Sequence, residues 1–186
     1  MMPRSLIIFI TAALMLTGCG TAASGTQKAA DRPAEQKVQA AQANTGSFDL
    51  DLERIDGGSF SYSQIRGKKL LLVAFWATWC EPCKAELLKL AEMYPDLSES
   101  FEFVAVSTDT EDMMDKVNQF FVENSIPFPV LVDPSGNTVS KLIPGGDTVP
   151  YSIIVNRNGE IVSRHSGYKS GDEESLKKEL LELQSK

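Results

Sequence analysis

Cysteine is scarce in this chain of 186 residues: Cys19 stands alone near the start, and Cys80 and Cys83 form a C-x-x-C pair. That is too few for a secreted scaffold stapled by disulfides. Histidine is scarcer, with His165 the single one, and neither a second C-x-x-C nor an H-x-x-x-H follows. A closed four-ligand zinc site therefore lacks ligands, and the pair reads as a redox pair. Lys and Arg form no cluster and the net charge is -7, which excludes a general nucleic-acid binder that would need a basic phosphate-binding face. No internal repeat is visible. The hydrophobic fraction of 42% and charged fraction of 23% are ordinary, and the length suits one globular domain with an extra segment.

The extra segment is at the start. Arg4 precedes an apolar run from Leu6 to Leu16, too short to span a bilayer comfortably, as in a cleavable export signal. It ends in Leu16-Thr17-Gly18-Cys19. This tetrapeptide resembles the bacterial lipobox, which implies cleavage before Cys19 and diacylation of its thiol; the plainer alternative is a signal or membrane anchor with an incidental cysteine. Two or more acyl chains hold a protein stably on a membrane surface where one does not. From Gly20 to about Ser47 the chain is rich in Ala, Gln, Thr, Ser and Gly without apolar period, a composition that cannot bury enough surface to order itself. The expected organisation is a lipoprotein signal over 1–18, a lipid-attached flexible tether over 19–46 and a folded domain over 47–186. About 28 flexible residues give a reach of roughly 30 Å. The protein is thus expected in a bacterial cell envelope, anchored on the extracytoplasmic side. Gly20 stands where many lipoproteins retained at the inner membrane carry aspartate, a hint toward an outer membrane.

Within the domain, Phe48-Asp49-Leu50-Asp51-Leu52 alternates with period two and Gly57-Gly58 turns it toward Phe60-Ser61-Tyr62, predicting a hairpin. Leu70 to Phe75 is continuously apolar, which fits a strand buried on both faces. A helix is predicted from Cys80 to Tyr94, ended by Pro95. Phe101–Val106 predicts another strand, and Met113, Val117, Phe120 and Phe121 recur at helical spacing as a core stripe. Val130-Leu131-Val132 is a short strand closed by Asp133-Pro134-Ser135-Gly136. Tyr151–Val155 and Glu160–His165 predict a hairpin around Asn158-Gly159. Ser170-Gly171-Asp172-Glu173 resembles a capping box before a last helix with Leu176, Leu180 and Leu183 as its buried stripe. Strands alternating with helices and closing in a hairpin predict an α/β fold with a mixed sheet.

The C-x-x-C pair falls where the buried strand turns into a helix. A helix N-terminus carries unpaired N–H groups and about half a positive charge, which favours thiolate over thiol. Cys80 is best placed to feel it and is the expected nucleophile, with Cys83 one turn on to resolve the mixed disulfide. Pro82 can open the helix without wasting a donor, whereas the Glu81 carboxylate beside Cys80 acts against the thiolate.

Lys68 to Lys84, ending in Phe75-Trp76-Ala77-Thr78-Trp79-Cys80-Glu81-Pro82-Cys83-Lys84, resembles the core of thioredoxin-fold proteins of the TlpA/ResA-like branch, and the likeness runs from the hairpin to the last helix. The resemblance implies a thioredoxin fold with an N-terminal β-hairpin and a central αβ insertion around Met113–Val132. It also implies an extracytoplasmic thiol–disulfide oxidoreductase, in many members a reductant, including of apocytochrome c during cytochrome c maturation. The working group is then the Cys80–Cys83 dithiol/disulfide itself, with no separate cofactor and no metal. Thr148-Val149-Pro150 matches the family's cis-proline loop, which implies a cis Pro150 facing the cysteines and a Val149 backbone that pairs with a substrate strand. Trp79, Glu81 and Pro82 complete the expected substrate-binding set. Tyr151 stands where relatives often have Thr. Glu86 matches an acidic residue implicated in proton handling near the thiols; the alternative is an ordinary exposed helix glutamate. Thioredoxin's buried aspartate is replaced by Ala74, which leaves Glu86 as the nearby acid for Cys83. Expected partners are protein disulfides and a membrane thiol electron donor, with the protein a monomer.

Two alternatives remain. A thiol peroxidase of peroxiredoxin type would carry Pro-x-x-x-Thr-x-x-Cys, and the proline is missing. A Sco-type copper chaperone would use His165 with both cysteines, but at C-x-x-x-C spacing.

Overall fold

The computed structural model describes residues 48–146 and 148–185. The signal 1–18, the tether 19–46 with Cys19, and Ser47 at the start of the expected domain lie outside the described residues. Among the described residues the elements run β1 (Asp51–Arg54), β2 (Ser59–Ser61), β3 (Leu70–Trp76), α1 (Glu81–Leu97), β4 (Phe101–Ser107), α2 (Met114–Glu123), β5 (Val130–Val132), α3 (Val139–Leu142), β6 (Tyr151–Val155), β7 (Ile161–Ser166) and α4 (Asp172–Gln184). The strands form one mixed sheet in the order β2-β1-β5-β4-β3-β6-β7. The hairpin β1–β2 joins it through antiparallel pairing of β1 with β5. This is the α/β architecture with a mixed sheet that the sequence pattern predicted, and the thioredoxin fold with leading hairpin and central αβ insertion that the resemblance implied.

β3 is the axis. Every residue from Leu70 to Trp76 is buried, because β3 lies between parallel β4 and antiparallel β6 and is covered on both faces. Its side chains alternate between two cores. Leu70, Leu72, Ala74 and Trp76 pack with Leu87 and Leu90 of α1, Leu180 of α4 and Phe101 and Phe103 of β4. Leu71, Val73 and Phe75 pack with Val139 of α3, Ile143, and Phe48 and Tyr62 of the N-terminal segment. Each fully buried Leu or Phe contributes about 1.5–3 kcal/mol of transfer free energy, so a continuously apolar strand is stable only in such a sandwiched place.

Three local expectations are corrected. Pro95 does not end α1; the helix runs on to Leu97. A proline removes one intrahelical N–H donor but not the packing of the next residues, and Leu97, 1% exposed, is held in the core. In α2 it is Met114, not Met113, that packs on the core beside Val117, Phe120 and Phe121. α4 is capped by Gly171 at φ 104° and not by Ser170. A left-handed backbone at this position suits glycine, and Glu173 Oε2 accepts from the Gly171 N–H at 2.8 Å and from the Tyr168 hydroxyl at 2.8 Å. Half of the capping box is therefore present, its acid arm without its serine arm.

Pro95→Ala restores the missing N–H donor one turn from the helix end. Urea unfolding is expected to show a gain of about 2 kcal/mol, the helix-interior penalty of proline less the entropy it removes from the unfolded chain. A loss of stability would show that the ring's own packing outweighs its backbone penalty.

Candidate functional site: a disulfide at the start of a helix beside a cis-proline

β3 delivers the chain to one end of the sheet, and Ala77–Trp79 turn it into α1. The turn is pinned by a side chain that sequence reasoning missed. Asp109, 3% exposed, accepts from the Thr78 N–H at 2.9 Å and the Thr78 hydroxyl at 2.7 Å. It also accepts from the Ser107 hydroxyl at 2.9 Å. One carboxylate with three donors ties the segment before the cysteines to the end of β4. The signal was available: Ser107-Thr108-Asp109 is a polar triplet directly after an apolar strand.

Cys80 is the N-cap of α1, with extended backbone (φ -97°, ψ 97°), and is bonded to Cys83 with their Cα atoms 5.3 Å apart. The Cys83 N–H, one of the helix's unpaired donors, points at Cys80 Sγ at 3.3 Å, which is where negative charge on that sulfur would be stabilised. Cys80 retains 6% exposure and Cys83 none, so the pair is asymmetric toward solvent. Pro82 lies in the first turn, where its lack of an N–H is harmless. Glu81 turns its carboxylate to solvent, 81% exposed, and pairs with Lys84 at 2.8 Å. Its opposition to a Cys80 thiolate is therefore screened. Trp79 stands 66% exposed beside the pair.

The Val149–Pro150 peptide is cis, as the family likeness implied. Pro150 is buried, Val149 half-buried and Thr148 exposed. The antiparallel register sets Phe75 opposite Tyr151, which carries Pro150 to the same end of the sheet as Trp76 and the cysteine turn. The Pro150 carbonyl accepts from Gly167 N–H at 2.8 Å and fixes the loop from behind.

Glu86 is not an exposed helix glutamate. It is 7% exposed and its Oε1 accepts from the Ser152 hydroxyl at 2.7 Å. Burial raises its pKa from 4.5 to about 7, against the Ser152 bond and the neighbouring His165, which lower it, while Asp172 adds to the rise. Ala74 is opposite Ser152, and Ser152 is opposite His165, in one row across β3, β6 and β7. A small side chain at Ala74 leaves room above the sheet for the Glu86 carboxyl. Ser152 also escaped sequence reasoning, although it is the one small polar residue in the run Tyr151–Val155. His165 holds Glu179 at 2.9 Å through Nε2, and among the described residues no three His, Cys, Asp or Glu side chains group to hold a metal.

A model described as the AhpC/TSA family matches residues 43–164. The chain belongs to that family. Within it, the thiol-disulfide oxidoreductase ResA of Halalkalibacterium halodurans is 29% identical over 144 residues, covering 77% of this chain and 77% of the relative. The ResA of Oceanobacillus iheyensis is 38% identical over 110 residues, covering 59% of this chain and 55% of the relative. The crystal structure of StoA from Bacillus subtilis superposes with a TM-score of 0.58 at 26% identity, covering 72% of this chain and 96% of that one. This family member is a ResA-like thiol–disulfide oxidoreductase of the thioredoxin fold.

Two predictions follow from this geometry. Because the folded protein binds the Glu86 proton more tightly than the unfolded chain does, that contribution to stability is complete below about pH 4.5 and is lost as pH rises through about 7. A shift of that size is worth roughly 3 kcal/mol. In urea unfolding of the oxidised protein, Glu86→Gln should gain on the parent by roughly 2–3 kcal/mol between pH 5 and pH 8; parallel pH curves would refute the buried acid. Asp109→Ala strands the half-buried donors of Thr78 and the buried hydroxyl of Ser107 and should lower stability by roughly 2–4 kcal/mol at neutral pH. A loss below about 1 kcal/mol would mean that water replaces the carboxylate.

Proposed function

We propose that this enzyme reduces protein disulfides on the extracytoplasmic side of a bacterial membrane, to which lipid on Cys19 holds it. The observation that carries the reading is the asymmetry of the pair: Cys80 caps α1 and touches solvent, while Cys83 is sealed behind it. In the reduced enzyme the Cys80 thiolate attacks one sulfur of a substrate disulfide, and the other substrate sulfur leaves as a thiolate. Cys83 then gives its proton to Glu86 and attacks Cys80 Sγ. The Cys80–Cys83 bond forms, the mixed disulfide breaks, and the second substrate sulfur leaves and is protonated. Two electrons have passed to the substrate; the Cys83 proton held by Glu86 goes to the second leaving sulfur, solvent protonates the first, and a thiol donor at the membrane restores the dithiol.

Each remaining site residue has a place in this cycle. Val149 offers its backbone to an extended substrate segment alongside cis-Pro150. Trp79, Glu81 and Pro82 form the exposed rim around Cys80. The Cys80–Cys83 couple is the whole redox group, and the domain acts as a monomer. Substrates of the apocytochrome c type suit a tethered extracytoplasmic reductant, so cytochrome c maturation is the process proposed. Support for export and anchoring comes from Arg4, the apolar run and the Leu16–Cys19 tetrapeptide.

Insulin-disulfide reduction tests the cycle. Cys80→Ser should abolish turnover, and Cys83→Ser should accumulate a mixed disulfide with substrate on Cys80. A couple with a reduction potential of about -250 mV or below fits a reductase, and one near about -120 mV would reverse the direction. Hydroperoxide turnover without disulfide exchange would instead favour the peroxidase reading, and tight Cu(I) binding without exchange the copper reading.

A further inference from the structure

β6 is buried at every residue, and a hydroxyl in such a strand destabilises the fold unless it is bonded. The Ser152 hydroxyl is 1% exposed, and its bond runs to Glu86 Oε1 at 2.7 Å. The two polar groups satisfy each other across the space between β6 and α1. A hydroxyl hydrogen can be given to a carboxyl oxygen whether or not the other oxygen carries a proton. Glu86 follows Cys83 by three residues on α1, a spacing that puts both on one helix face.

We propose that Ser152 is a positioning residue for the reaction: its hydroxyl occupies Oε1 of Glu86 and reserves Oε2 as the oxygen that exchanges a proton with Cys83. The proposal rests on Glu86 taking the Cys83 proton as described above. During resolution the Cys83 S–H bond breaks, its proton passes to Oε2, and the freed sulfur pair forms the bond to Cys80 Sγ as the Cys80–substrate disulfide breaks and the substrate sulfur leaves as a thiolate. Ser152 keeps its hydrogen throughout. Without the hydroxyl the carboxyl can rotate, and either oxygen can carry the proton or turn away from the thiol.

The polar and charged groups facing Glu86 are Ser152 on β6, His165 on β7, Tyr168 in the loop that follows, and Asp172 on α4, with Cys83 one turn earlier on its own helix. His165 is itself paired with Glu179 of α4. Ser152 carries no charge, so replacing it changes the hydrogen bond and leaves the surrounding charges in place. Since a donor favours the carboxylate over the acid, its loss should strengthen proton binding at Glu86.

The test combines infrared spectroscopy with the pH profile of insulin reduction, on the parent, Ser152→Ala, Ser152→Thr and Glu86→Gln. The carbonyl stretch of protonated Glu86 is identified by its disappearance in Glu86→Gln. In Ser152→Ala this band should move to higher wavenumber and titrate about one pH unit higher, a roughly tenfold tighter hold on the proton. The inflection in the rate profile should move with it. Ser152→Thr, which keeps a hydroxyl, should restore band, midpoint and profile. A purely structural serine would lower turnover equally at all pH values and leave the profile's shape alone, which would overturn the proposal. If Glu86→Gln removes the inflection while Ser152→Ala leaves band and midpoint unmoved, Ser152 falls and the Glu86 reading stands. If Glu86→Gln leaves the rate profile unchanged, the Glu86 reading falls and takes this one with it.

Discussion

The antiparallel pairing of β3 with β6 governs where everything else can be. β3 ends at Trp76 and β6 begins at Tyr151, and their register sets Phe75 against Tyr151. The last residues of one strand and those just before the other therefore meet at a single end of the sheet. Cys80 and Cys83 follow the first, and cis-Pro150 precedes the second, so segments some seventy residues apart in sequence share one surface. The pairing holds because β3 is buried on both faces. A one-residue slip would turn Leu71, Val73 and Phe75 into the other core and exchange every contact.

The same pairing builds the buried acid. Ala74, Ser152 and His165 stand side by side across three strands, and α1 lies over them with Glu86 pointing down. A carboxyl there is stripped of water, which raises its pKa to about 7, and steadied by one serine hydroxyl. The strand supplies only Ala74 at this point, and the buried carboxyl reaches in from the helix. Exposed Glu81, paired with Lys84, shows the contrast in setting: the same residue type, five positions earlier, stays in solvent.

Most of the scaffold could be read from local pattern. The continuously apolar β3, the alternating hairpin at the start, the Asn-Gly turn between β6 and β7 and the leucine stripe of α4 all follow from periodicity and turn chemistry, which act over a few residues. The errors were local as well. Pro95 was expected to stop α1, but Leu97 is anchored in the core and carries the helix past it. Ser170 was expected to cap α4, but a left-handed Gly171 and the reach of Glu173 satisfy that helix start. Asp109 and Ser152 went unread because their partners lie across the fold, and a polar residue beside an apolar run is more often a turn than a tie.

The amino-acid sequence alone determined the chemistry available: one C-x-x-C pair after a strand, with a proline in its first helical turn and too few other ligands for zinc. It also determined the class of fold, because hydrophobic period and turn residues are local properties. Tertiary structure decided what each group experiences. It turned Glu86 from a candidate surface glutamate into a desolvated acid, separated Cys80 from Cys83 by access to solvent, and gave Thr78 and the cysteine turn an anchor in Asp109. Burial and cross-strand register arise only when distant segments meet, so no stretch of sequence read on its own contains them.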